Sequence, residues 1–92
     1  MKIKQQEDGH RGKFYIEENG EELAEMTYVW AGKSKFIIDH TEVSEKLAGK
    51  GAGKQLVMKA VEMARAKNVK IMPLCPFANK VLHQTDEFAD VL

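Results

Sequence analysis

Apolar residues alternate along the first half of this chain and recur with helical spacing along the second, and the change falls near Val43. After an Asp8-Gly9 turn, residues 13–18 carry Phe14 and Ile16 on one face. Asn19-Gly20 follows, the strongest short hairpin signal in the chain, so two antiparallel strands meet there. Residues 23–31 alternate again, with the strand formers Thr27, Tyr28, Val29 and Trp30, and Gly32 separates them from a further strand over 35–43. The first half therefore reads as a meander of three or four strands. Over 53–67 the apolar residues Leu56, Val57, Ala60, Val61 and Ala64 lie on one helical face, with Lys59, Glu62 and Arg65 toward the other. Asn68 is a left-handed stop, and the apolar stretch 69–75 returns as a strand parallel to the one ending near Val43. Strand, turn, helix, strand is a βαβ unit, which crosses over right-handedly in nearly every case. Pro76 suits the first position of a short helix over about 77–84, with Cys75 at or near its N-cap. Phe88 and Val91, after Thr85-Asp86-Glu87, dock the C-terminus. The expected class is α+β: a mixed, mainly antiparallel sheet of about five strands with one parallel crossover.

Composition narrows this picture. At 92 residues the chain has room for one core, so residues 1–92 are expected to form a single domain. Lys plus Arg and Asp plus Glu are 14 each, a balance that excludes broad electrostatic attraction to nucleic acid or an anionic membrane. No stretch approaches the length of an apolar membrane helix. Cys75 has no second cysteine to pair with, and Met1-Lys2-Ile3-Lys4-Gln5-Gln6 lacks the apolar run of a signal peptide, so a cytosolic, reducing location is expected. His10, His83 and Cys75 match no zinc spacing, and no metal is expected. Met58, Met63 and Met72 read as core filling, and Tyr28 and Trp30 as core or cleft wall. Lys2 and Lys4 discourage pairing through the edge of the first strand, which points to a monomer or weak homodimer.

Between the strand and the helix stands Leu47-Ala48-Gly49-Lys50-Gly51-Ala52-Gly53-Lys54. Glycines let a ligand approach the backbone, and a helix N-terminus presents unpaired N–H groups to anions. Spacing separates the phosphate motifs that compete for this turn. A P-loop needs glycine and Ser or Thr where the chain has Ala48 and Gln55, and the dinucleotide fingerprint needs glycine where it has Lys54. The bland reading is a tight connection and nothing more.

The Gly51-Ala52-Gly53 end resembles the coenzyme A turn of the GNAT superfamily, a Gln or Arg followed by x-x-Gly-x-Gly/Ala, and Lys50, Lys54 and the helix to Lys67 continue the likeness. Ala48 departs from it, standing where the pattern has Gln or Arg. The wider pattern resembles the very small GNAT-like proteins, through Asp39-His40-Thr41-Glu42-Val43, a cysteine closing the fifth strand, and a stretch running from Phe14-Tyr15-Ile16 to Phe88-Ala89-Asp90-Val91. The resemblance implies a minimal acyl-CoA N-acyltransferase fold with acetyl-CoA or a related acyl-CoA as co-substrate. It implies that Gly49, Lys50, Gly51, Ala52, Gly53 and Lys54 hold the pyrophosphate, and that the pantetheine arm pairs like an extra strand beside Thr41 and Val43.

Ligands of open α/β sheets bind at the carboxyl ends of the parallel strands, here near residues 40–43 and 74–75, and Pro73 weakens pairing in the last strand so that the two splay. Cys75 at a helix N-terminus gains thiolate character and is a candidate nucleophile, with His40 as candidate base or proton carrier. The alternative is direct attack by the acceptor amine, with Glu42 or His40 as base. Each residue has a dull counterpart: a small buried cysteine, a core histidine sharing the face of Phe36 and Ile38, a solvated Glu42. Two function classes follow, an N-acyltransferase and a non-catalytic acyl-CoA-binding or sensing module; the thiol at the thioester position favours the first. The sequence shows no acidic pocket for a polyamine and no arginine cluster for a carboxylate.

Overall fold

A computed structural model describes residues 1–92. The chain runs β1 (Lys4–Glu7), β2 (Arg11–Glu18), β3 (Glu21–Trp30), β4 (Lys35–Val43), a 3-10 turn (Glu45–Leu47), α1 (Ala52–Lys67), β5 (Lys70–Pro73), α2 (Pro76–His83) and a C-terminal 3-10 segment (Asp86–Val91). The strands form one sheet in the order β1-β2-β3-β4-β5, antiparallel throughout except for the parallel β4–β5 pair. This is the mixed sheet with one parallel crossover that the pattern predicts. No helix is long and apolar enough to cross a membrane.

Local chemistry sets most boundaries. Asn19 and Gly20 both have positive φ, 54° and 78°, as the two-residue hairpin turn between β2 and β3 requires. Asn68 closes α1 in the left-handed conformation, its N–H directed at the Ala64 and Arg65 carbonyls. β1 is Lys-Gln-Gln-Glu with no buried side chain, so no hydrophobic alternation marks it; its pairing with β2 holds it in place.

All buried apolar residues form one cluster between the sheet and the helices. From α1 it takes Leu56, Val57, Ala60, Val61 and Ala64, from the sheet Phe14, Ile16, Met26, Tyr28, Phe36 and Ile38, and from the C-terminus Phe88 and Val91. Each fully buried Leu, Ile, Val or Phe contributes about 1.5–3 kcal/mol. Met58 and Met63 pack against the cluster as expected, but Met72 does not. It alternates with the buried Ile71 and emerges on the other face of β5, 37% exposed.

Gly12 faces Tyr28 across the β2–β3 ladder, and a Cβ there would run into the phenol ring. The ring has nowhere to go. It packs on Phe14 and Phe36 at 5.3 and 5.4 Å, donates its hydroxyl to Glu7 Oε1 and accepts from Gln5 Nε2, both at 2.7 Å. Burial foremost pushes the phenol pKa up to about 12, so it stays a donor. Overpacking and the loss of a hydrogen bond predict that Gly12→Val destabilises the fold by about 2–4 kcal/mol in urea unfolding.

Candidate active site

β4 and β5 pair only as far as Ile38 and Pro73. Beyond that point the N–H groups of Leu74 and Cys75 both converge on the Ile38 carbonyl, each at 3.0 Å, and the strands part. From His40 to Val43, β4 pairs with β3 alone, so its β5-facing edge is open. The expected strand over 69–75 thus ends two residues early, because Pro73 brings no N–H to the ladder and the chain turns into α2.

The open edge leads into a groove of about 490 Å³ whose walls are Thr41 and Val43 of β4, residues 47–49 and 51–54 of the glycine turn, and Phe77 of α2. Lys50 is outside this lining. Gly49 and Gly51 have φ of 76° and 68°, and a Cβ on either would meet no atom within 4 Å. Their positive φ is the reason for glycine there. Gly53 has a different reason: its Cβ would come within 2.6 Å of Phe77 Cζ, so it lets α2 approach α1. Gly51 caps α1 with no side-chain hydrogen bond, and the N–H groups of Gly49, Gly51, Ala52, Gly53 and Lys54 find no acceptor among the turn and cap hydrogen bonds. This row of free donors at the positive end of a 16-residue helix suits an anion.

Cys75 is the N-cap residue of α2, with Pro76 at the first helical position as expected, and its side chain is buried. Its Sγ lies 3.4 Å from Thr41 Oγ1. Burial pushes the thiol up, but the Thr41 hydroxyl and the N–H groups of Ala78, Phe77 and Thr41 outweigh it, leaving the thiol below its ordinary value.

His40 is not where alternation from Phe36 and Ile38 puts it. The β3–β4 register skips a residue between Tyr28–Ile38 and Thr27–His40. Asp39 is the extra residue of this β-bulge, and its carboxylate accepts the Thr27 hydroxyl at 2.6 Å. The bulge reverses the alternation. Thr41, opposite the buried Met26, now shares the core side with Ile38, while His40, opposite Thr27, stands on the helix-free side. His40 and Cys75 therefore lie on opposite faces of the sheet, and the expectation of a core-facing His40 is corrected. The ring is 3.3 Å from Glu42, itself a solvated strand end as predicted.

A profile of the family described as GCN5-related N-acetyl-transferase matches residues 13–91. The chain belongs to this family, GNAT. A GCN5-like protein from Staphylococcus aureus, proposed to be an N-acetyltransferase, is 43% identical over 98% of this chain and 85% of its own, with a TM-score of 0.77. The GNAT fold also recurs at low identity. A ribosomal-protein-alanine N-acetyltransferase from Brucella melitensis is 17% identical over 84% of this chain and 62% of its own, TM-score 0.66. A GNAT family acetyltransferase from Elizabethkingia anophelis, solved with acetyl-CoA bound, is 19% identical over 82% and 52%, TM-score 0.62. No curated protein matches the chain.

One feature of this GNAT domain has no signal in the sequence. On the helix-free face, Glu22 and Glu25 of β3, Glu42 of β4 and Ser44 line a groove of about 310 Å³, and ligand atoms of Glu25, His40 and Glu42 all lie within 4.8 Å of one another. Glu22, its hydrogen bond with Glu25 foremost, pushes the Glu25 carboxyl up, whereas Lys13 holds Glu22 down. Glu22 and Glu25 are near neighbours on β3, but Glu42 joins them only through the β3–β4 pairing, which no local pattern in the sequence marks.

Proposed function

We propose that this protein is an N-acetyltransferase that binds acetyl-CoA across the glycine turn and the open β4 edge and transfers the acetyl group to an amine. The observation that carries this reading is a shared groove: the free N–H donors at the start of α1 and the open edge at Thr41 and Val43 line it together, and Thr41 in turn contacts the Cys75 sulfur. Pyrophosphate at Gly49, Gly51, Ala52, Gly53 and Lys54, with Lys50 beside it, would leave the pantetheine amides to pair with the edge at Thr41 and Val43. The relatives, one of them holding acetyl-CoA, support the choice of co-substrate.

In the covalent route the Cys75 thiolate attacks the thioester carbonyl; a new C–S bond forms, the bond to coenzyme A breaks, and coenzyme A departs as its thiolate. The acceptor amine then attacks the acyl-Cys75 carbonyl, the C–N bond forms, the C–S bond breaks and Cys75 returns as thiolate. His40 takes the amine proton from the helix-free face. The 3.3 Å His40–Glu42 pair on that face also favours a second reading, direct attack of the amine on acetyl-CoA with this pair as base.

The deciding experiment is a calorimetric titration with acetyl-CoA followed by intact-mass measurement of the same sample. Binding with one added acetyl group supports the covalent enzyme. Binding without it, followed by transfer to supplied amines, supports direct attack; binding with neither makes the protein an acyl-CoA-binding module. No binding at millimolar ligand sinks the proposal.

Ala48 lines the groove where the GNAT pattern carries Gln or Arg. A guanidinium there adds charge-assisted hydrogen bonds to a phosphate, so Ala48→Arg is expected to tighten acetyl-CoA binding by about tenfold in the same titration.

A further inference from the structure

We propose that Thr41 is the positioning residue of Cys75, its hydroxyl and the N-terminus of α2 together holding the sulfur in the slot as the acyl-accepting thiolate. The inference rests on reading Cys75 as the acyl acceptor, and it names the group that does what a histidine would do for a nucleophile elsewhere. His40 is across the sheet, with Glu42 as its side-chain hydrogen-bond partner. The group that reaches the sulfur is the Thr41 hydroxyl, at 3.4 Å. With the thiol protonated, S–H donates to Oγ1; once the thiol ionises, the same contact reverses and the hydroxyl donates to sulfur.

The bulge at Asp39 is what makes this contact. Without it, alternation from Phe36 and Ile38 would carry His40 to the core side and turn Thr41 away. The other donors are backbone N–H groups, those of Ala78 and Phe77 in the first turn of α2 and that of Thr41 itself. No charged group enters the balance at the sulfur. His40 and Glu42 of β4 are on the far face, Lys54 of α1 is in the groove wall, and on α2 Lys80 is exposed while His83 bonds the Asn79 carbonyl at 2.9 Å. The thiolate is therefore held by hydrogen bonds, of which Thr41 supplies the only one from a side chain.

The test is a pH titration of the free protein, following thiolate absorbance in the ultraviolet as the difference from Cys75→Ala, together with the rate of alkylation by iodoacetamide. Thr41→Val keeps the shape and removes the hydroxyl. Its midpoint is expected about one pH unit higher than the parent's, giving about tenfold less thiolate below the midpoint. A more basic thiolate is a better nucleophile, so alkylation should slow by only about threefold. Thr41→Ser should restore the parental midpoint, and Thr41→Ala, read beside it, replaces Thr41→Val if that variant does not fold. A parental midpoint in the valine or alanine variant, or a raised one in the serine variant, overturns the inference. Loss of acetyl-CoA binding in the parent would instead sink the proposed function and leave the thiol titration to stand or fall separately.

Discussion

Cys75→Ala is expected to bind acetyl-CoA with the parental affinity, to acquire no acetyl mass, and to transfer acetyl groups roughly 10³-fold more slowly or worse. The binding half follows from where the contacts are: the walls of the groove are Thr41, Val43, residues 47–49 and 51–54, and Phe77, and the sulfur is not among them. The backbone of residue 75 keeps both its hydrogen bonds, N–H to the Ile38 carbonyl and carbonyl to the Asn79 N–H, whatever the side chain. Exchanging a thiol for a hydrogen leaves only a small void beside Thr41, a cost of about 1 kcal/mol. The chemical half follows because Cys75 is the only cysteine in the chain, and removal of a covalent nucleophile abolishes its step rather than weakening it. Intact mass reads the loading and a coupled thiol-release assay reads the transfer. Transfer at the parental rate would refute the covalent route and leave the His40–Glu42 pair acting on the amine directly.

Gly51→Val is expected to lose at least about 100-fold in coenzyme A affinity with the fold intact. At φ 68° a β-branched residue is strained by about 1–2 kcal/mol, and no neighbouring atom within 4 Å of a Cβ would compensate by packing. Relief of that strain turns the cap of α1 and with it the free N–H groups that follow, which are the donors an anion needs. The branched side chain also stands in the groove wall. Gly51→Ala carries most of the strain with little bulk and should lose about tenfold. Circular dichroism separates a displaced turn from an unfolded chain, and calorimetry gives the affinities. Parental affinity in Gly51→Val would reduce the turn to a tight connection between β4 and α1.

What was legible in the sequence is what neighbouring residues decide among themselves. The positive φ of Asn19 and Gly20, the left-handed stop at Asn68, the apolar face of α1 and the N-cap position of Cys75 each depend on side chains within a turn or two, and each is found as its residues predict. So is the glycine turn, where Gly49 and Gly51 need positive φ. What only the tertiary structure decided depends on a partner strand or helix distant in the chain. The polar β1 exists because β2 offers it an edge. Gly53 is required by Phe77, a residue of the second helix. The bulge at Asp39 is a property of how β4 lies on β3, and by advancing the register one residue it sends His40 to the far face, gives Thr41 to Cys75, and sets Glu42 beside Glu25. Residue types and order named the candidate chemistry of this protein; the pairing of strands, through contacts that no local pattern encodes, determined which of those residues touch.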